Sequence, residues 1–318
     1  VQEVIDNASD EVLAGFGTKI ILTQHADGSV SVEDDGRGIP IGIHPEEKCS
    51  VVEVVFTRLH AGGKFNKTSG GAYSFSGGLH GVGVSVTNAL SDKLEVTVWR
   101  EGLESTIVFE NGYVVQSLVS VKSPRLKKET GTRVRCWPNP KYFDSAKIPT
   151  EALVRLLRSK AVLLPGCEVV YNNEEKDIHQ RWKYNDGLRE YLLEQLDQSP
   201  EIRPFEAEGF AADDDENFSA GEGASWVVVW TEEGRLERES FVNLIPTPQG
   251  GTHEAGLKDG IFQALKSFIE QHGLSQKGVK LIGDDIFTRA SFVLNAKVLD
   301  PQFQGQVKEK LISRDALK

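Results

Sequence analysis

The sequence lacks methionine, has few cysteines and contains no long apolar run. Among its 318 residues there is no Met, and Cys49, Cys136 and Cys167 are widely spaced, without a C-x-x-C pair. An odd and scattered set of cysteines favours neither a disulfide framework nor a zinc site and is typical of a reducing compartment, so we expect a cytoplasmic protein. No stretch approaches the ~18 uninterrupted apolar residues of a membrane-spanning helix, so we expect no membrane partner. Because the chain opens at Val1 in a helical pattern, we expect it to be part of something longer.

Basic charge is also in short supply. Lys and Arg together number 36 against 47 Asp and Glu, which gives a net charge of -11. Domains that grip a phosphate backbone usually carry the opposite sign. We therefore expect any contact with nucleic acid to be local or to be made through a partner.

Hydrophobic periodicity predicts a mixed α+β chain. The predicted helices cover residues 1–14, 50–59, 82–90, 150–164, 187–196 and about 253–272. The predicted strands cover residues 18–24, 29–33, 93–100, 105–109, 114–121, 132–137, 225–232, 239–245 and 285–298. The first two strands flank Asp27-Gly28, which predicts a hairpin, and the next four predict an antiparallel meander. A change of composition at 198–200 predicts two domains, 1–199 and 200–318.

Two polar motifs occur in the first forty residues. Glu3 and Asn7 are spaced i, i+4 on the first helix, which places a possible base and a possible metal ligand on one face. Asp34 ends a strand and is followed by Gly36 and Gly38, so its carboxylate could accept a hydrogen bond from an exocyclic amine while the glycines let the backbone approach something flat. Taken alone, the first pair also fits a solvated helix face, and the second fits a plain turn.

Two further motifs contain glycine. The run 77–83 lies between a long Gly/Ser-rich loop, which has the composition of a lid, and a predicted helix. Free backbone amides at a helix start suit a polyphosphate, although a glycine-rich turn is the plainer interpretation. The glycine order fits neither the dinucleotide fingerprint nor the Walker A loop. Gly131-Thr132 opens a strand and alone says little.

Together, and in this order, the four motifs resemble the Bergerat ATP-binding fold of gyrases, ninety-kilodalton heat-shock chaperones, histidine kinases and mismatch-repair ATPases. Longer strings at 2–7, 59–65, 76–84 and 243–254 are similar to the B subunits of bacterial type II topoisomerases, and the resemblance runs through the whole chain. The extended loop 66–75 is more similar to that of the topoisomerase IV form than to that of the gyrase form. The resemblance implies an α/β-sandwich ATPase domain followed by a smaller α+β transducer domain.

The resemblance implies ATP and magnesium as ligands. Glu3 would be the general base for the attacking water, and Asn7 would hold magnesium. Asp34 would receive the adenine amine, with Thr132 assisting through water. Lys308, in the second domain, would reach the γ-phosphate. The other implied ATP-binding residues are Glu11, Arg37, Gly38, Ile39, Pro40, Lys64, Tyr73, Gly78, Leu79, His80, Gly81, Val82, Gly83, Val84 and Gln306.

Several of these residues have more particular implied roles. Ile39, Pro40 and Val55 would pack on the base, and Gly78 to Val84 would wrap the triphosphate. Lys64 and Tyr73 would belong to the lid, and Glu11 with Arg37 would form an ion pair beneath the pocket. Gln306 opens a Q-x-K loop in which Val307 replaces the usual Thr. Coumarin-type inhibitors would contact Asp34, Arg37, Pro40, Arg100 and Thr132.

The implied function is the ATP-driven dimeric gate of a type II topoisomerase, which passes one DNA through another. Its partners would be a second copy of the same chain, an A subunit that carries the cleavage tyrosine, and nucleoid DNA. Three alternatives stay open: the gyrase form of the same region, a chaperone or mismatch-repair ATPase, and a clamp that binds ATP without hydrolysing it. The string 246–254 argues against the second. Since the family's N-terminal arm lies upstream of Glu3, we expect weak dimerisation and slow hydrolysis from this stretch alone.

Overall fold

The computed structural model describes residues 1–59, 75, 82–145, 148–275, 278, 280–305 and 308–317. The chain divides into two compact units, Val1–Asn185 and Asp186–Lys318. Each unit combines helices with a β-sheet, as the sequence predicts. Within the described ranges, no helix is both long enough and apolar enough to cross a membrane.

The first unit is built on one eight-stranded sheet. Its helices are α1 (Gln2–Leu13), α2 (Val51–Thr57), α3 (Gly83–Ala89) and α4 (Thr150–Leu163). Its strands are β1 (Lys19–Gln24), β2 (Val30–Asp34), β3 (Ser91–Arg100), β4 (Leu103–Glu110), β5 (Tyr113–Lys122), β6 (Gly131–Pro138), β7 (Glu168–Asn173) and β8 (Ile178–Trp182). The strand order is β5-β4-β3-β6-β2-β1-β7-β8. A short 3₁₀ helix covers Pro140–Tyr142.

The first helix is amphipathic and packs against the start of the sheet. Val4, Ile5 and Ala8 are buried on one face of the helix, where they form the apolar stripe that holds α1 against β1, β2 and α3. Glu3 and Asn7 are less buried than this stripe. The predicted hairpin is confirmed, because β1 and β2 pair antiparallel, with Ile20 opposite Asp34.

The sixth strand corrects the predicted meander. Strands β3, β4 and β5 are consecutive antiparallel neighbours, but β6 pairs with β3 and β2 and lies between them. Val134 and Cys136 of β6 are buried on one face of the strand, whereas Arg133 and Arg135 on the other face are more exposed. Most residues of β5 are exposed, as suits an edge strand. The sequence prediction also omitted β7 and β8, which extend the sheet beyond β1.

The second unit has a five-stranded sheet covered by helices. Its helices are α5 (Gly187–Gln195), α6 (Thr252–Gln271) and α7 (Gly283–Phe287). Its strands are β9 (Phe205–Phe210), β10 (Gly223–Trp230), β11 (Arg238–Val242), β12 (Ile245–Pro246) and β13 (Ala290–Lys297), in the order β12-β11-β13-β10-β9. Buried Val228, Phe292 and Leu294 pack against Leu257 and Ile261 of α6. A 3₁₀ helix covers Arg314–Leu317.

The compact units divide before α5, whereas the predicted boundary stands after it, near residue 200. Helix α5 packs on β10 and β13 of the second unit. Leu192 is fully buried, and the Tyr191 hydroxyl donates to Glu239 Oε2 at 3.0 Å. These contacts fasten α5 to the sheet that follows it in the chain.

A short helix replaces the start of one predicted strand. The strand predicted over 285–298 begins at Ala290, and residues 283–287 form α7 instead. The Ile282 amide donates to Asp285 Oδ2 at 2.9 Å, which satisfies an amide at the start of the helix. Ile286 and Phe287 are then turned into the core of the unit.

Candidate functional site

Asp34 lies at the end of β2, between β1 and β6. It stands opposite Ile20 on one side and Thr132 on the other. Its side chain is half-buried, and its Oδ1 accepts a hydrogen bond from the Gly36 amide at 2.9 Å. Burial raises the pKa of Asp34 from 3.8 to about 7, and the charge of Glu11 adds to this, while the amides of Gly36 and Thr132 oppose it. The carboxylate is therefore poised to change its charge near neutral pH.

The glycines around Asp34 are required by the protein's own packing. A Cβ on Gly36 would stand 2.8 Å from Asp34 Oδ1, and one on Gly131 would stand 2.2 Å from the Asp34 carbonyl oxygen. Gly38 has a φ of +72°, and a Cβ there would meet the Trp99 carbonyl oxygen at 2.8 Å. The packing of the chain therefore requires glycine at these positions, whether or not a flat ligand also approaches the turn.

Two residues that the sequence analysis did not single out hold this turn in place. Asp35 accepts hydrogen bonds from the Thr18 amide at 2.7 Å and from the Lys19 amide at 2.8 Å. Thr130 donates to the Gly36 carbonyl oxygen at 2.6 Å. Both residues could have been found from the sequence, because Asp35 directly follows Asp34 and Thr130 directly precedes Gly131.

The predicted ion pair between Glu11 and Arg37 is present. Arg37 Nη2 lies 2.9 Å from Glu11 Oε1, and Arg37 Nε donates to Glu11 Oε2 at 3.1 Å. The guanidinium also stacks over the Phe16 ring at 3.7 Å. This bidentate pair connects α1 to the turn after β2 and places a second carboxylate close enough to influence Asp34.

Arg100 lies at the end of β3 and reaches the same turn. Its Nη1 donates to the Gly38 carbonyl oxygen at 2.8 Å, and its side chain is 32% exposed. Arg100 therefore closes one side of the turn while keeping part of its guanidinium open to solvent.

Glu3 lies against the first residue of α3. A Cβ built on Gly83 would stand 2.0 Å from Glu3 Oε2, so a larger residue at this position would displace the carboxylate. Glu3 itself is exposed. The structure thus brings the base implied by the first motif to the last glycine of the third motif.

The remaining implied residues differ in how far the structure describes them. Asn7, Ile39, Val55, Val82 and Val84 are half-buried, and Pro40 is exposed. Residues Lys64, Tyr73, Gly78, Leu79, His80, Gly81 and Gln306 lie outside the described residues. Lys308 belongs to the second unit, where it is half-buried and has a φ of +59°.

Two family models cover most of the chain. The model of the histidine kinase-, DNA gyrase B- and HSP90-like ATPases matches residues 1–141, and the model of DNA gyrase B matches residues 187–318. Among curated proteins, the B subunit of DNA topoisomerase 4 from Escherichia coli (strain K12) is 47% identical over 316 residues. That match takes in 98% of this chain and 48% of the relative. The chain therefore spans about half the length of the curated relatives it matches.

Two solved ATPase-domain structures are matched over about four fifths of their own length. The topoisomerase IV ATP-binding domain of Francisella tularensis, solved with a small-molecule inhibitor, is 43% identical, with a TM-score of 0.77 and coverage of 99% of this chain and 81% of that one. The 43K ATPase domain of Thermus thermophilus gyrase B, solved with an aminocoumarin, is 31% identical, with a TM-score of 0.79 and coverage of 99% and 78%. The chain belongs to the family of bacterial type II topoisomerase B subunits and corresponds to their ATPase region.

Proposed function

We propose that the first unit binds ATP with its adenine on Asp34, and that hydrolysis drives the gate of a type II topoisomerase of the topoisomerase IV kind. The observation that carries this proposal is the Asp34 carboxylate, half-buried at the end of β2 and braced by Gly36 and Thr132. An ionised carboxylate in such a place is a strong acceptor for an amine donor. Family membership supplies the rest of the support.

The adenine would be held by a rigid turn. Thr132 lies beside Asp34 in the sheet and would hold a bridging water. The Glu11–Arg37 pair fixes the far side of the turn. Ile39, Pro40 and Val55 would supply apolar contact with the base. Lys64 and Tyr73 would close over the ribose and phosphates, which would lie along Gly78 to Val84.

Hydrolysis would use Glu3 as the general base for the attacking water, because its carboxylate stands at the start of α3, where the phosphate run ends. Lys308, with Gln306 beside it in the chain, would stabilise charge that develops on the γ-phosphate. These roles follow from the family's pattern at the matching positions.

Magnesium fits the donor set near Glu3. Among the described residues, no group of three or more His, Cys, Asp or Glu side chains could hold a metal ion. Magnesium commonly takes one or two protein oxygens, and the phosphates and water supply its other ligands. Asn7 offers such an oxygen, four residues from Glu3 on α1. When bound, the metal would neutralise charge on the phosphates.

The assembly that we propose is that of the whole topoisomerase. The ATP-binding domain would be the first compact unit, and the transducer domain would be the second, which begins with α5 rather than near residue 200. Two copies of the protein would close on ATP and would work with an A subunit on DNA in the cytoplasm. The curated relatives, which are named as B subunits of DNA topoisomerase 4, support this assembly.

Nucleotide affinity should depend on the charge of Asp34. Because the pKa of this carboxylate is about 7 and the adenine amine needs the ionised form, binding should be about tenfold weaker at pH 6 than at pH 8. Asp34→Asn should weaken binding at pH 8 by at least about tenfold, which is ~1.4 kcal/mol. Calorimetric titration with a non-hydrolysable ATP analogue and magnesium at both pH values measures this.

The Asn variant also controls for titration of the nucleotide itself, because it keeps the pocket but has no titrating group at position 34. The Asp34→Asn variant should be as stable as the wild type. The folded pKa of Asp34 is raised, so the wild type gains stability at low pH and loses it as pH rises from about 4 towards 7. Asp34→Asn should therefore melt no lower than the wild type at pH 8. Equal wild-type affinities at pH 6 and 8, or undiminished binding by the variant, would count against adenine on Asp34.

Arg100 should distinguish coumarins from ATP. Its guanidinium is partly open beside the Gly38 carbonyl, at the edge of the Asp34 turn, so an inhibitor that overhangs the adenine pocket can reach it. Arg100→Ala should weaken coumarin binding by about tenfold or more, since hydrogen bonds to charged groups contribute ~1.5–3 kcal/mol. ATP binding should stay within about threefold.

The matched control is Arg181→Ala, which removes a 60% exposed arginine from the edge strand β8. Four strands separate β8 from β3, which carries Arg100. Competition binding of a labelled coumarin and of the ATP analogue should be run on both variants. Unchanged coumarin affinity in Arg100→Ala would remove this contact from the proposal.

A further inference from the structure

In the second unit, the loop that opens α6 runs beside the segment that follows Lys308. The Gln249 amide donates to the Glu309 carbonyl oxygen at 3.0 Å, and the Leu311 amide donates to the Gly250 carbonyl oxygen at 3.1 Å. The Thr252 amide donates back to the Leu311 carbonyl oxygen at 3.1 Å. These three bonds form a short parallel bridge between two stretches that lie about sixty residues apart in sequence.

The bridge is close enough to require glycine. A Cβ on Gly251 would stand 2.3 Å from the Leu311 carbonyl oxygen, at a φ of +144°. Leu311 is fully buried and packs with Val242 and Ala296. The segment after Lys308 is therefore fixed to the core of this unit rather than lying loosely on its surface.

A buried polar network stabilises the loop that precedes α6. The Ser240 hydroxyl donates to Glu254 Oε1 at 2.7 Å, and Thr247 Oγ1 lies 3.0 Å from His253 Nε2. Burial lowers the pKa of His253 to about 4, so this ring is neutral at pH 7. The Gly250 amide donates to the Thr247 carbonyl oxygen at 2.8 Å, which connects the network to the bridge.

Lys308 itself has a backbone that needs support. Its φ of +59° lies in the left-handed region, which disfavours any residue with a Cβ and persists where the surroundings impose it. Its neighbour Glu309 is held twice by one residue. Gln249 uses its main-chain amide, as above, and its side-chain Nε2 donates to Glu309 Oε2 at 2.5 Å. Gln249 is exposed, so its side chain contributes this bond rather than core packing.

We propose that Gln249 is a positioning residue for Lys308: by holding Glu309 through main chain and side chain, it fixes the direction in which the Lys308 side chain leaves the chain. This inference rests on the proposed function, in which the Lys308 ammonium acts on the γ-phosphate. A displacement of about 1 Å in such a group costs on the order of 100-fold in rate. Loss of the Gln249–Glu309 bond should therefore appear in catalysis rather than in nucleotide binding.

The experiment exchanges the two side chains in the full-length protein. Gln249→Glu places two carboxylates together and should lower kcat for ATP hydrolysis by about tenfold or more, with KM within about threefold. Gln249→Glu combined with Glu309→Gln restores the same bond with donor and acceptor exchanged, and should bring kcat back to within about threefold of the wild type. Lys308→Ala serves as the reference for complete loss of the lysine, and melting temperatures check that all variants fold.

The outcomes separate this inference from the proposed function. A low kcat in Gln249→Glu that the exchanged pair restores supports the positioning role. Normal kcat in Gln249→Glu, or a loss that the exchanged pair does not restore, overturns it, as does full hydrolysis by Lys308→Ala. Failure of the wild-type protein to bind or hydrolyse ATP would refute the proposed function itself.

Discussion

Replacing Glu3 by Gln should slow ATP hydrolysis by about 10²- to 10⁴-fold, the usual contribution of a general base. Glutamine has nearly the same shape and can still orient a water, but it cannot take the proton. Nucleotide binding should change little, because Asp34 and its turn are untouched. Steady-state hydrolysis by the full-length protein, together with calorimetric binding of the ATP analogue, separates the two effects.

The contact between Glu3 and Gly83 provides a second test of the same carboxylate. A methyl group on Gly83 would stand 2.0 Å from Glu3 Oε2, so Gly83→Ala must push the carboxylate aside. Gly83 is the first residue of α3 and does not have a positive φ, so the helix itself accepts alanine. Gly83→Ala should therefore reproduce much of the loss of rate without unfolding the unit.

The matched control is Glu151→Gln, which neutralises an exposed glutamate in the first turn of α4. Its hydrolysis rate should stay within about twofold of the wild type, because surface substitutions away from a site are close to neutral. A normal rate of hydrolysis in Glu3→Gln would remove the general-base role of this residue.

The second large effect is on stability, and it concerns the ion pair between α1 and α4. Lys160 Nζ lies 2.6 Å from Asp6 Oδ1, and the two side chains are 1% and 4% exposed. Lys160→Met leaves the Asp6 carboxylate buried without its counter-charge, which should lower the free energy of unfolding by about 3–5 kcal/mol. Urea denaturation followed by circular dichroism, read on the transition of the first unit, measures the loss.

Two comparisons make this result specific. Asp6→Leu combined with Lys160→Met removes both charges and should recover most of the stability, since well-packed apolar pairs often equal a buried ion pair. Lys19→Met breaks a pair with Glu168 of similar length, 2.8 Å, but with the lysine 43% exposed, and should cost about 1 kcal/mol or less. If Lys160→Met were no more destabilising than Lys19→Met, burial would not be the source of the effect.

The parts of the site that the sequence could predict are those set by local chemistry. The hairpin around Asp27-Gly28 places Asp34 at a strand end, and its position there depends only on turn residues and alternation. The Glu11–Arg37 pair was implied by the family pattern and is present. The start of α3 at Gly83 follows from a glycine-rich turn before an apolar run.

The parts that could not be predicted depend on contacts between distant residues. Nothing local distinguishes β6 from the next strand of a meander, because its place is decided by backbone pairing with β2 and β3, which lie far from it in the sequence. A lysine within an amphipathic helix is normally solvated, so the buried position of Lys160 becomes visible only when α1 is present. Asp285 lies in the first turn of α7 and its carboxylate accepts a hydrogen bond from the Ile282 amide, a local contact that strand propensity does not predict.

The insertion of β6 between β2 and β3 also determines when the Asp34 pocket can form. Two of its residues, Asp34 and Thr132, come from strands separated in the sequence by the whole β3–β5 segment, so they meet only through a pairing of long sequence range. Pairings of such long range are late and slow steps of folding. A ligand of this pocket would therefore recognise only chains whose sheet is complete, and at about 100 times its Kd it would add about 2.7 kcal/mol to their stability. In the cell, a nucleotide that binds this pocket would therefore stabilise newly made chains only once their sheet is complete.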